Sequence, residues 1–166
     1  SKADDEGSLF TSFLCDALEG GAADILGRVT PAQVYAYLDQ SFSAWAQRPL
    51  FKTNVSRFAI LRESEHKIDF DILKKITIYF ETPKMEFPLD PSYEPTVKLK
   101  RGASPEDKRK KKQKEDIFSH LQKFRALNLV EPVGEEHMYY AAMNKTACRL
   151  TRLGRYYWRL LIDKRV

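Results

Sequence analysis

The sequence is poor in the residues that most often carry chemistry. Its 166 residues include only two cysteines, Cys15 and Cys148, and three histidines. No apolar stretch is long enough to span a bilayer, and the start of the chain lacks the pattern of a signal peptide. The cysteines lack metal-ligand spacing, which predicts buried thiols rather than a disulfide or zinc site, because thiols pack well in cores. We therefore expect a protein of a reducing cytoplasm, with no metal and no cofactor.

Apolar residues make up 43% of the chain and aromatic residues 12%, as in globular proteins. Charge, however, is unevenly distributed. Residues 1–66 have 6 Lys and Arg against 9 Asp and Glu, a net charge of −3, whereas residues 67–166 have 22 against 14, a net charge of +8. This difference predicts two domains with different surfaces, 1–66 and 67–166.

Residues 1–66 are predicted to form two helices followed by two extended segments. The first helix has an apolar face that starts at Leu9, and it ends at Gly20-Gly21. The second helix begins at Thr30-Pro31-Ala32-Gln33, a capping box with proline in the first turn. Extended segments at Arg48–Lys52 and Phe58–Leu61 follow, before a charged joint. The predicted sheet is incomplete, because nothing else in this domain pairs with these two segments.

Residues 67–166 are predicted to combine helices with a small sheet, so that the whole chain has a mixed α+β fold. A stretch with four prolines, 82–104, is predicted to have no regular structure. In chain order, the predicted elements are a helix with its apolar face from Ile72 to Phe80, the proline-rich stretch, a helix capped by Ser104, a hairpin of Leu129–Val133 and Met138–Met143, a strand at Ala147–Leu150 and a helix capped by Thr151.

Two runs of residues 68–166 are similar to bacterial winged-helix domains: Leu127-Asn128-Leu129-Val130-Glu131-Pro132 and Cys148-Arg149-Leu150-Thr151-Arg152-Leu153-Gly154-Arg155-Tyr156-Tyr157-Trp158. In those domains, a helix ends in leucine-x-leucine-valine, a wing follows, and leucine-threonine-x-x-glycine-arginine opens the closing helix. The resemblance implies a winged-helix-like domain at 67–166. The proline-rich insertion 82–104 departs from it, because the family is usually tighter there.

The basic run at Lys108–Lys114 could neutralise phosphates of a nucleic acid, or it could be the solvated first turns of a helix. The candidate phosphate-binding residues are Lys110, Lys111, Lys112 and Arg125. Base recognition normally uses Arg, Asn or Gln, and the exposed candidates on this predicted helix are only Gln122, Lys123 and Arg125. The pattern therefore favours docking to a protein or a regulatory role, while DNA binding stays open.

Three segments of residues 1–62 resemble, in the same order, the small subunit of prokaryotic caspase-like and metacaspase-like cysteine peptidases. Gly7-Ser8-Leu9-Phe10-Thr11-Ser12-Phe13-Leu14-Cys15-Asp16-Ala17-Leu18-Glu19 is similar to the first helix, Thr30–Leu38 to the next helix, and Gln47-Arg48-Pro49-Leu50-Phe51 to a following strand. The resemblance implies the small-subunit portion of a caspase-like α/β sandwich. It also implies that the chain arises by proteolytic processing between subunits, or by trimming.

The catalytic histidine and cysteine of that family lie upstream of the resembling segments, and the glutamine-alanine-cysteine signature is missing. Cys15 is expected on the apolar face of a helix, protonated and packed. His66, His120 and His137 have no evident cysteine partner, so we predict no catalytic residue in this chain.

The resemblance assigns Ser1, Asp4 and Asp5 to a segment that lines the pocket for the substrate's first side chain. Acidic residues there would suit a lysine or arginine substrate by charge pairing. The alternative is that these carboxylates stabilise the dipole of the first helix.

The sequence therefore predicts the C-terminal part of a caspase-like cysteine endopeptidase that supplies a pocket rim and scaffold, joined to a winged-helix module. Its expected partners are an upstream catalytic subunit, a peptide substrate and a protein docked on the winged helix. The alternatives are a DNA-binding winged-helix regulator and a purely structural adaptor. No membrane partner is expected.

Overall fold

The computed structural model describes residues 2–43 and 50–165, and for residues 2–8 it describes the backbone only. The fold is mixed α and β, with two small antiparallel sheets. The chain divides into two compact units, Ser1–Ile68 (unit 1) and Asp69–Val166 (unit 2), which are described separately. Among the described residues, each helix is too short or too polar to cross a membrane.

The described residues of unit 1 form two α-helices, a π-helical turn and one pair of very short strands. In chain order its elements are α1 (Lys2–Asp16), a π-helical turn (Ala17–Gly21), β1 (Arg28–Val29), α2 (Pro31–Ser41) and β2 (Arg62–Glu63). The α1 and α2 helices pack together around a small core, and the buried residues of that core are Ala17, Val29, Val34 and Leu38. The predicted capping box is confirmed, because the side chains of Thr30 and Gln33 each accept a hydrogen bond from the other's backbone N–H group.

The strands of unit 1 differ from the predicted ones. β1 pairs antiparallel with β2, which lies in the stretch predicted as a charged joint. Of the two predicted extended segments, the described residues from Leu50 to Leu61 form no strand, and Arg48 and Pro49 lie outside the described residues. The turn before β1 is held by Asp24, whose carboxylate accepts hydrogen bonds from the backbone N–H groups of Leu26 and Arg28 at 2.9 and 3.0 Å. This local turn positions the start of β1.

Unit 2 contains five helices among its described residues, together with a three-stranded sheet. In chain order its elements are α3 (Phe70–Lys74), α4 (Ile76–Tyr79), β3 (Glu86–Pro88), a 3₁₀ turn (Pro91–Tyr93), α5 (Pro105–Ala126), β4 (Val130–Val133), α6 (Met138–Met143), β5 (Ala147–Leu150) and α7 (Arg152–Ile162). The strand order in the antiparallel sheet is β3-β5-β4.

Three predictions for unit 2 are wrong. The proline-rich stretch 82–104 contains β3 and the 3₁₀ turn, because an edge strand tolerates Pro88, which lacks an N–H donor. The segment Met138–Met143 is helix α6 and not the second strand of a hairpin. Its buried residues Met138, Ala141 and Ala142 have the i, i+3, i+4 spacing of a helix face, and β4 pairs with β5 beyond it. The single helix predicted from Ile72 to Phe80 is divided at Lys75 into α3 and α4.

The predictions for the other helices of unit 2 are confirmed. Ser104 and Asp107 form a capping box at the start of α5, and Phe118, Leu121 and Phe124 of the same helix are fully buried. The hydroxyl group of Thr151 caps α7 by accepting a hydrogen bond from the N–H group of Gly154 at 3.0 Å. These interactions place α5 and α7 around the sheet core.

Gly154 lies where α7 comes closest to the chain before β4. A Cβ atom at this position would lie 1.9 Å from the carbonyl oxygen of Leu129, a backbone atom that cannot rotate away. We expect Gly154→Ala to destabilise unit 2 by roughly 1–3 kcal/mol through overpacking. Urea unfolding followed by circular dichroism measures this change. Ser119→Ala, on the exposed face of α5, is the control and should stay within about 0.5 kcal/mol of the parent. Equal stability of the two variants would contradict the close packing.

Candidate functional site

The predicted substrate pocket falls largely outside the described side chains. Ser1 lies outside the described residues. Asp4 and Asp5 lie in the first turn of α1, where the backbone is described but the side chains are not. The pocket therefore stays a prediction, and so does the alternative that these carboxylates stabilise the helix dipole.

Unit 1 has an open apolar groove. It has a volume of about 250 Å³, and its lining residues are Phe10, Pro31, Val34, Tyr35, Leu38, Leu50, Phe51 and Leu61. The rings of Tyr35 and Phe51 stack with centroids 5.0 Å apart and so hold the segment after residue 50 against α2. Leu50 and Leu61 are nevertheless 80% and 53% exposed. Large apolar side chains are concentrated at one exposed site, which is a common property of surfaces that contact another polypeptide.

The two cysteines occupy different environments, and the expectation for Cys15 is wrong. Cys15 is exposed, because it lies on the side of α1 opposite the helix face that packs against the core. Cys148 is buried in β5, and burial raises the pKa of its thiol to about 12. A thiol with this pKa stays protonated at neutral pH, so Cys148 is a packing residue rather than a nucleophile.

The histidines do not form a catalytic pair with either cysteine in the described part of the chain. The ring nitrogen Nδ1 of His120 and the hydroxyl group of Tyr79 share a hydrogen bond of 2.8 Å that links α4 to α5. Burial and the nearby charges of Lys75 and Lys123 lower the pKa of His120, so that its ring is neutral at pH 7. His66 and His137 are exposed. The described residues also include no group of three or more His, Cys, Asp or Glu that could hold a metal ion.

The predicted basic run on α5 separates into side chains that face inward and side chains that face solvent. Lys111 is only 9% exposed. Its ammonium group donates to the carbonyl oxygens of Ser92 and Glu94 at 2.9 and 2.6 Å, and it lies 3.2 Å from the carboxylate of Glu115. An ammonium group has three donors, and all three are engaged. Lys111 was a candidate phosphate-binding residue, but its place is within the packing of unit 2.

Lys114 makes a second link between α5 and the 3₁₀ turn. Its ammonium group donates to Asp90 at 3.0 Å and to the hydroxyl group of Ser92 at 2.6 Å. Burial alone would raise the pKa of Asp90, but hydrogen bonds from Ser92 and Lys114 together lower it. Asp90 therefore remains ionised and keeps this link at neutral pH.

The other candidate phosphate-binding residues are exposed. Lys110 forms an ion pair of 2.6 Å with Glu106 on the same helix, which partly compensates its charge. Lys112 is exposed in the same part of α5, and Arg125 is exposed in the last turn. The structure thus leaves Lys112 near the start of α5 and Arg125 at its end, on different parts of a 22-residue helix.

Additional cations lie beside α5 in the loop that precedes it. Two depressions, of about 600 and 430 Å³, lie between residues 95–103 and the first three turns of α5. Six exposed cations line one or both depressions. One of them, Lys110, is paired with Glu106. We define the basic surface by the other five: Lys98, Lys100, Arg101, Lys108 and Lys112. The sequence interpretation missed the first three, because they lie in the proline-rich stretch that was treated as an insertion. The charge density of residues 98–116 was the available signal.

Comparison of the chain with protein-family models, with curated proteins and with solved structures finds no match.

Lys111 and Lys112 are adjacent but differ in their surroundings, which provides a matched test. We expect Lys111→Met to destabilise unit 2 by roughly 1–3 kcal/mol, because the methionine keeps most of the side-chain volume but leaves two backbone carbonyl groups without their donor. Lys112→Met should change the free energy of unfolding by less than about 0.5 kcal/mol. Urea unfolding of both variants measures the difference. If the two variants were equally stable, the inward position of Lys111 would be wrong.

Proposed function

We propose that the chain is the C-terminal, small-subunit-like part of a caspase-like cysteine endopeptidase, joined to a winged-helix-like docking or regulatory module. Unit 1 would supply the rim of the substrate pocket and part of the scaffold. The three ordered resemblances in residues 1–62 motivate this assignment. The structural observation that carries it is the apolar groove of unit 1, next to a sheet that has two short strands among the described residues.

The groove supports the proposal because unit 1 has little sheet of its own to cover it. β1 and β2 have two residues each, whereas strands in globular proteins usually have five or six. The segment between α2 and β2 also exposes Leu50, Val55, Ile60 and Leu61, each at least 45% accessible. An upstream subunit that adds strands to this pair and covers the groove would bury Leu50 and Leu61 and satisfy open strand edges.

The chemistry would be supplied by the upstream subunit. There, a cysteine thiolate would attack the carbonyl carbon of the scissile amide, and a histidine would protonate the leaving amine before water hydrolyses the thioester. The buried and protonated state of Cys148 agrees with this division of labour. Asp4 and Asp5 would recognise a basic substrate side chain in the completed pocket.

The element order of unit 2 supports the winged-helix part of the proposal. Helices α3 and α4, the long helix α5, the antiparallel pair β4 and β5, and the closing helix α7 follow one another as in that family. Two features depart from it: α6 connects β4 to β5 where an extended wing was expected, and β3 adds an edge strand. A wing that binds in a DNA groove has to be extended, which α6 is not. A surface that binds another protein has no such requirement, so both departures fit docking better than DNA binding.

The alternative, a DNA-binding regulator that reads sequence, has less support. The exposed side chains on the second half of α5 that could read bases are Gln122, Lys123 and Arg125. Recognition of one sequence normally requires several such contacts from one element.

The first test asks whether a catalytic polypeptide accompanies this chain. We expect the purified chain alone to cleave no basic, acidic or neutral peptide substrate. When the tagged chain is isolated from its native source, a co-purifying polypeptide should react with a peptide-based thiol-reactive probe. Leu50→Asp with Leu61→Asp should remove this polypeptide from the complex, whereas Val55→Asp, outside the groove lining, should keep more of it. Peptidase activity of the chain alone that disappears in Cys15→Ala would contradict the proposal.

The second test concerns the acidic start of α1. With the catalytic subunit present, Asp4→Asn together with Asp5→Asn should reduce kcat/KM for substrates with Lys or Arg at the cleaved position by roughly ten- to a hundredfold. This range corresponds to a lost charge-assisted contact of about 1.5–3 kcal/mol. Substrates with neutral residues at that position serve as the control and should change little. An equal loss on all substrates would indicate damaged folding rather than lost recognition.

A further inference from the structure

The positive charge of the whole chain is concentrated in a short part of unit 2. Residues 98–116 include nine Lys and Arg and four Asp and Glu, a net charge of +5 that equals the net charge of all 166 residues. Within this segment, Glu106 pairs with Lys110, and Glu115 lies beside Lys111. The five cations that define the basic surface are exposed to solvent. Asp107 and Asp116 line the same depressions, so that the cations there outnumber the carboxylates without being alone.

The structure anchors the helix that carries Lys108 and Lys112 and that adjoins the loop with the other three cations. The capping box of Ser104 and Asp107 fixes the junction between the loop and α5. Lys111 and Lys114 attach the same turns of α5 to residues 90–94. Lys108 and Lys112, one helical turn apart and thus about 6 Å along the axis, remain on one side of α5 and line the same depression. Cations held in place lose less conformational freedom when they bind a ligand.

We propose that the basic surface binds the phosphodiester backbone of nucleic acid, without preference for base sequence. Lysine side chains neutralise phosphates and release condensed counterions, but they carry little information about bases. Four of the five cations are lysines. The adjacent depressions are open to solvent, and Lys and Arg outnumber Asp and Glu among the side chains that line them.

The surroundings of the basic surface favour this partner over an anionic membrane or an acidic protein. The large apolar residues of α5, including Phe118, Leu121 and Phe124, are buried in unit 2, so the helix has no apolar face to insert into a bilayer. Leu99 is the large apolar side chain beside the depressions, at 41% exposure. Protein interfaces usually have an apolar or aromatic centre, which one leucine among lysines does not provide.

The inference depends on unit 2 alone and goes beyond the proposed peptidase role. A chain without any peptidase partner could still bind nucleic acid through this surface. Conversely, a peptidase subunit could fail to bind nucleic acid. The two proposals therefore fail independently.

The test measures binding of the full chain by fluorescence anisotropy, with a single-stranded 20-nucleotide oligomer and a 20-base-pair duplex of mixed sequence, from 50 to 200 mM salt. The variant is Lys98→Gln, Lys100→Gln and Arg101→Gln in one chain. We expect its affinity at 100 mM salt to be at least about tenfold lower. The slope of log K against log salt should also become shallower by about 2 to 3. The arm with the higher affinity identifies the preferred form of nucleic acid.

The control chain has Lys52→Gln, Lys84→Gln and Arg152→Gln, three exposed cations outside the basic surface that lower the net charge by the same amount. It should retain affinity within about threefold of the parent. A second variant, Lys108→Gln with Lys112→Gln, should lower the affinity on its own, because both lysines line the second depression. Equal losses in variant and control would overturn the proposal, and so would absence of binding by the parent at 50 mM salt. Tighter binding of anionic vesicles than of either nucleic acid would overturn it too.

Discussion

The ammonium group of Lys111 connects elements of unit 2 that are distant in sequence. It holds the carbonyl oxygens of Ser92 and Glu94 and the carboxylate of Glu115, and so joins α5 to the turn that follows the edge strand β3. Since the group has three donors and three acceptors, it has none left for an outside ligand. A single buried lysine thereby fixes which side of α5 belongs to the core and which side carries the basic surface.

The sequence predicted those elements whose signals are local. The caps at Thr30, Ser104 and Thr151 require only residues within one helical turn, and each is present. β3 was missed because its place depends on pairing with β5, some sixty residues further along the chain. The segment at Met138 was predicted as the second strand of a hairpin, whereas burial of the alanines at helical spacing favours a helix.

The candidate sites show the same limitation. Lysine content made the start of α5 a candidate site, but composition cannot distinguish the buried Lys111 from the exposed Lys112, because the difference depends on carbonyl groups contributed by residues 92–94. Cys15 was expected in the core from its apolar neighbours in sequence, although its position on α1 places it at the surface. The apolar groove of unit 1 could not be predicted, since it forms only when the segment at Phe51 stacks on Tyr35.

Because one cysteine is exposed and the other is buried, thiol alkylation can be used to follow opening of unit 2. Cys148 lies in the central strand of the unit 2 sheet, paired on both sides, and its thiol reacts only when that strand separates from its neighbours. Cys15 is accessible in the folded state and reacts first. The alkylation rate of Cys148, divided by its rate in the unfolded chain, therefore reports the population in which the core of unit 2 is open, without any introduced label.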